Sequence, residues 1–216
     1  MSYGTRETQL DRIKDKLNQA RHKDARFAVF GASSHQYRVK EKLTAQKLTE
    51  WQTRHQITLP EPFALFLTEV GNGGAGPYYG IYSIEKAASF TEPGALHAET
   101  ALHPGMDPEE WNRLIELLIR DEDIADEEYD EVRNKVLGGM LCIGTQGCEY
   151  EMYLVVKGEH RGRVVYTSDF HADHPFFFVY EDSFLDWYER WLDEIIPGRN
   201  IVWFGSKVPD DQFKDK

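Results

Sequence analysis

Between Ser183 and Pro197, the bulky residues Phe184, Trp187, Tyr188, Trp191, Leu192 and Ile195 recur at intervals of three and four. At 3.6 residues per turn they form one continuous stripe on a helix. Ser183 supplies an N-cap, and Pro197-Gly198 supplies a stop. A stripe so broad and so aromatic must be covered, and a sheet is the surface that suits it. Strands are available just upstream. Met140 to Gly144 is a short apolar run. Cys148 to Val156 alternates, setting Cys148, Tyr150, Met152, Leu154 and Val156 on one face. Residues 157–162 read as a hairpin loop into Arg163–Thr167, so the sheet is expected to be antiparallel, with Phe176–Tyr180 as a further strand.

The first half of the chain is helical in pattern. Leu10, Ile13 and Leu17 mark an amphipathic helix from Thr5 to about Arg21, and a second helix follows Thr44 with Leu48 and Trp51 on one side. Pro60 and Pro62 open a third, whose inner stripe is Phe63, Phe66, Leu67 and Val70. Gly71 is expected to end it with positive φ, and a glycine-rich loop then leads into a strand over Tyr78–Ser83. Asp107-Pro108-Glu109-Glu110 has the form of a capping box ahead of Trp111, Leu114, Ile115 and Leu118. A further helix runs from Asp126 to Leu137, with Tyr129, Val132 and Val136 directed inward. No repeat or long linker divides the chain. The expectation is one α+β domain over residues 1–216, a mainly antiparallel sheet packed by helices from both ends of the chain.

Charge narrows the function classes. The chain has 25 basic and 37 acidic residues among 216, a net charge of -12, which opposes binding to nucleic acid or to anionic membranes and favours a basic partner. It has no apolar run long enough to span a bilayer and no secretory signal at its start, so a cytoplasmic location is expected. Cys142 and Cys148 stand six apart, unlike a zinc or redox pair, and read as reduced core thiols.

Several motifs invite a chemical reading and fall short of it. Gly71-x-Gly73-x-x-Gly76 has dinucleotide spacing, but a helix precedes the glycines where that chemistry needs a strand. Asp169-x-His171-x-Asp173-His174 resembles a hydrolase metal motif whose first histidine is replaced by Asp169, and no histidine follows to complete a site. Cys142 or Cys148 with His160 or His171 lacks any local nucleophile signature. Glu149 and Glu151 read as a solvated strand face. The strongest charged feature is the set Asp121, Glu122, Asp123, Asp126, Glu127, Glu128, Asp130 and Glu131, eight carboxylates within eleven positions. Part of this run suits a helix entry. Its functional reading is a negative field that steers and docks a basic protein.

Leu59-Pro60-x-Pro62-Phe63-x-x-Phe66-Leu67-x-x-Val70-Gly71-Asn72-Gly73-Gly74-Ala75-Gly76-Pro77-Tyr78-Tyr79-Gly80 resembles the signature of the SUKH superfamily, the group of the cell-wall assembly regulator and many bacterial relatives. Gly147-Cys148 leading to Leu154-Val155-Val156-x-Gly158-x-x-x-Gly162-x-Val164 is similar to the central hairpin of its bacterial members. Ser183-Phe184-Leu185-Asp186-Trp187-Tyr188-x-x-Trp191-Leu192 is similar to their final helix. Phe30-Gly31-Ala32-x-x-His35-x-Tyr37 fits the approach to the first motif. The blocks run from about residue 30 to 196, with 1–29 as an N-terminal helix and 197–216 as a tail.

The resemblance implies an α+β fold without catalysis or cofactor. It also implies an immunity protein that binds a cognate toxin domain, a basic nuclease being one such partner. Departures are the acidic insert near Asp121 and the pair Val165-Tyr166, where relatives often place Trp; they bear on the partner and leave the fold alone. The alternatives are a regulatory or scaffold module of the cell-wall-regulator type and a metal-dependent hydrolase built on Asp169, His171, Asp173 and His174.

Overall fold

The computed structural model describes residues 3–91, 94–116, 125–147, 150–167 and 176–199. The opening helix, α1 (Tyr3–Lys23), is followed by α2 (Ala32–His35), α3 (Ala45–His55) and α4 (Glu61–Leu65). Thr44 caps α3 by accepting from the Lys47 amide. After α4 the chain widens into a π-helical turn, Phe66–Val70, closed by the Gly71 amide on the Phe66 carbonyl. Gly71 itself is extended, with φ 174. The expected left-handed stop is therefore displaced to Gly73 and Gly74, because the wider turn ends on a five-residue bond and needs no φ reversal.

Downstream lie α5 (Ile84–Ser89), a 3-10 turn (Ala95–His97), α6 (Pro108–Leu114) and α7 (Asp126–Leu137). The strands β1 (Met140–Gly147), β2 (Tyr150–Val155), β3 (Val164–Thr167) and β4 (Phe176–Phe178) form an antiparallel meander in that order, and α8 (Phe184–Ile195) follows. The fold is thus the α+β class expected. The capping box is present in full: Asp107 accepts from the Glu109 and Glu110 amides, and Glu110 accepts from the Asp107 amide.

Two layers of core flank the sheet. Leu141, Ile143, Met152, Leu154, Val164 and Tyr166 join α8 and the N-terminal helices in one cluster. The alternate residues, Met140, Cys142, Tyr153, Val155 and Val165, join Trp111, Ile115, Val132 and Val136 in a second. Helices from the middle of the chain therefore cover the face that alternation had suggested was wet. Glu151 is half-buried there rather than solvated.

α8 is the hub of the first layer. Phe184 meets Phe63 and Phe66 edge-on at 4.8 and 5.1 Å, and Tyr188 meets Phe66 at 4.8 Å. Both polar tips on the stripe are satisfied: Trp187 Nε1 donates to Tyr166 Oη (2.9 Å), and Tyr188 Oη donates to the Ala75 carbonyl (2.7 Å). α1 lies along the outside of α8, burying Leu10, Ile13, Leu17 and Ala20. There Glu189 accepts from Arg12 Nε (2.7 Å), Arg12 Nη2 (2.9 Å) and Lys16 Nζ (2.8 Å).

The segment 71–83 is a knot of turns rather than the strand expected at Tyr78–Ser83. Only Ile81 bridges, to Gly74, which also bridges Val39. The Gly80 amide turns back to the Pro77 carbonyl, and Tyr78 itself sits at φ 54. Asn72 is buried in the knot, where Oδ1 accepts from the Ile84 amide and Nδ2 donates to Glu85, so the loop caps α5 from outside. His35 locks the same region. Its ring meets Trp191 edge-on at 5.9 Å, its Nδ1 accepts from the Tyr37 amide, and burial pushes its pKa down to about 4.

Two outcomes follow for stability. Burial alone would raise the Glu189 carboxyl, but hydrogen bonds from Arg12, Lys16 and Gln9 outweigh it and hold the pKa at about 2. Its contribution is complete above the unfolded pKa and is lost as pH falls from about 4.5 towards 2. Neutral His35 loses stability earlier, as pH falls from about 6.5 towards 4. Glu189→Gln should cost about 2–3 kcal/mol at pH 7, the lower part of the range because Arg12 is 48% exposed and screened. Urea titrations across pH should show the earlier window retained and the later one flattened. Gly31, at φ 78, has no room for a Cβ, which would lie 1.8 Å from the Tyr78 carbonyl oxygen. Gly31→Ala should lower the unfolding free energy by about 2–4 kcal/mol, read from the urea midpoint.

Candidate partner-binding face

The acidic run falls on and before α7. Asp121, Glu122 and Asp123 lie outside the described residues. Asp126, Glu127 and Glu128 occupy the first turn, where carboxylates complement the helix dipole, and Ala125 offers no side-chain cap. Val132 and Val136 anchor the helix on the second face of the sheet. Tyr129, expected inward, is 37% exposed. It lies on the same side as Val136 but two turns nearer the helix start, so periodicity gave its direction and not its depth.

Asp126, Glu127, Glu128 and Asp130 are exposed, and none has an ion-pair partner among the described residues. Glu131 differs: Lys135 Nζ stands 2.7 Å from it and, through that hydrogen bond, draws its pKa down. At 100° per residue, Asp126 and Asp130 fall in line with Arg133 and Leu137, whereas Glu128 points to the opposite side of the helix. The face therefore has a direction that the run of letters does not reveal.

The other candidates separate. The amides of the glycine loop are engaged within the protein: Gly71 to Phe66, Gly73 to Gly71, Gly74 to Ile81 and Ala75 to Arg38. No helix begins at the loop to direct free amides at a phosphate. Asp169, His171, Asp173, His174, Cys148 and Glu149 lie outside the described residues. Among the described residues, no group of three or more His, Cys, Asp and Glu side chains could hold a metal ion, and no helix is long and apolar enough to cross a membrane.

Cys142 is buried, with Sγ 3.7 Å from Glu151 Oε2 and 3.9 Å from the Gly144 carbonyl. Burial and then the Glu151 charge push its pKa up to about 12, so it remains a neutral thiol. His160, one of the bases considered for it, rests on Phe178 at 5.5 Å instead. Sequence reasoning missed the polar group around Cys142. Burial raises Glu151, against hydrogen bonds from Thr145 and Cys142 and the charge of Lys86. Lys86 covers the Tyr82 ring at 3.9 Å. Glu151 sits one residue from Met152 in an apolar run, and that flank was the available signal.

Comparison with known proteins matches no curated protein and no solved structure. A family model does match residues 42–190, more than half of the chain, from just before α3 to within α8. With the signature string seated in the turn knot and the aromatic helix on the sheet, the chain belongs to the SMI1 / KNR4 family (SUKH-1).

Proposed function

We propose that this protein is an immunity protein that neutralises a cognate toxin domain by direct binding, without catalysis. The observation that carries the reading is the set of exposed carboxylates on α7, Asp126, Glu127, Glu128 and Asp130, none of which makes an ion pair among the described residues. Carboxylates gathered in one element raise the field outside the protein and speed encounter with a basic surface. The family supports an immunity or a regulatory role. The net charge of -12 favours a basic partner in either case.

Co-expression with the toxin encoded beside it should rescue growth, and the two proteins should co-purify. The association rate should fall by about tenfold or more between low and high salt. Asp126→Lys, Glu127→Lys and Glu128→Lys together should slow association further while leaving the unfolding midpoint nearly unchanged. Failure of the folded protein to rescue growth would leave the regulatory or scaffold role as the better reading.

A further inference from the structure

Phe90 leaves the end of α5 with half of its ring in solvent. Its inner face stacks on Tyr82 at 5.2 Å. Beside it lies a shallow cleft floored by Met140, Tyr153 and Ala95 and walled on the far side by Arg133, Asn134 and Leu137 of α7. The enclosed space, about 10 Å³, holds roughly one water molecule, too little for a small-molecule site. What the cleft offers is an apolar lip on which a side chain from outside can rest.

We infer that this lip is the centre of the docking face, and that its occupant is an extended basic segment of a protein partner with one apolar anchor followed by cations. The inference rests on the partner-binding reading above and gives it a place and a register. Charge sets the register. Lys86 covers the Tyr82 ring and stands 5.6 Å from the centre of Phe90, and Arg133 lines the opposite wall. Lys86 repels a cation at the anchor itself. Along the same line of α7, Asp130 lies about 10 Å and Asp126 about 16 Å beyond Leu137, at 1.5 Å per residue. An extended chain advances about 3.3 Å per residue, so the partner's Lys or Arg should follow its anchor by about three to five residues. Glu128, on the far side of the helix, adds to the field but makes no direct contact.

Fluorescence anisotropy tests this with two labelled peptides in low salt, one with a leucine followed by lysines at those spacings and one with the leucine replaced by serine. The leucine peptide should bind the full chain about fivefold more tightly or better. Phe90→Glu and Asp130→Lys should each weaken it by about five- to tenfold, whereas Glu128→Lys, the same change of charge, should weaken it by less than about twofold. Phe90→Glu is decisive because it adds negative charge: a partner held by diffuse charge would bind that variant more tightly. Phe90→Ser provides the same comparison without the charge, with unfolding midpoints measured for every variant.

Equal effects at Asp130 and Glu128, tighter binding by Phe90→Glu, or no binding of the leucine peptide would each overturn the inference. Growth rescue by the neighbouring toxin's co-expression is read separately. Rescue without the anchor effect removes this docking face alone, and the anchor effect without rescue removes the toxin reading alone.

Discussion

The burial of the α8 stripe is the interaction on which the other elements depend. Each large aromatic side chain buries about 150–250 Å², worth up to about 4–6 kcal/mol by area, whereas a hydrogen bond contributes about 1 kcal/mol net. Packing therefore supplies the energy, and the polar tips set the arrangement. Trp187 can donate to Tyr166 on β3 only if the helix keeps its azimuth, and Tyr188 reaches Ala75 only if the turn knot is in place. One helix thereby registers the sheet and the glycine-rich segment together. α1 then closes the outer side through apolar contact and the Glu189 ion cluster.

Where local chemistry decided a feature, the sequence reading was sound. The capping box at Asp107, the Ser183 cap, the stop after α8 and the hairpin at 157–162 each depend on a few neighbouring residues, and each is present. Tertiary context decides the features that depart from the local pattern. Met152-Tyr153-Leu154-Val155-Val156 continues the alternation of Cys148–Val156 on paper, yet it is apolar at every position, the pattern of a strand buried on both faces. The knot at 71–83 escaped for a related reason. Its turns are held by bonds to Arg38, Lys40, Ile143 and Ile84 rather than by neighbouring strand pairs, and no local pattern encodes those partners.

The candidate face was legible in composition and not in geometry. A string of carboxylates announces a negative field, but only the helix phase shows that Asp126 and Asp130 continue the line of the cleft while Glu128 turns away. The half-exposed Phe90 could not have been found from the letters. It ends a helix that the pattern did not reveal, because α5 is six residues long and is capped by Ser83 and by an asparagine from the preceding loop.

The two concentrations of charge in this molecule do different work. At Glu189 the carboxylate is buried with two cations of α1 on it, and its depressed pKa registers a gain in folding free energy. On α7 the dipole rewards acids only in the first turn, an effect of about 0.3–1 kcal/mol that fades within that turn. Asp130 stands beyond it and makes no ion pair among the described residues, so folding gains little from its charge. A carboxylate whose attraction is not spent inside the protein remains available to a cation outside it. That availability, set beside an aromatic lip, is a property of a contact surface more than of a fold.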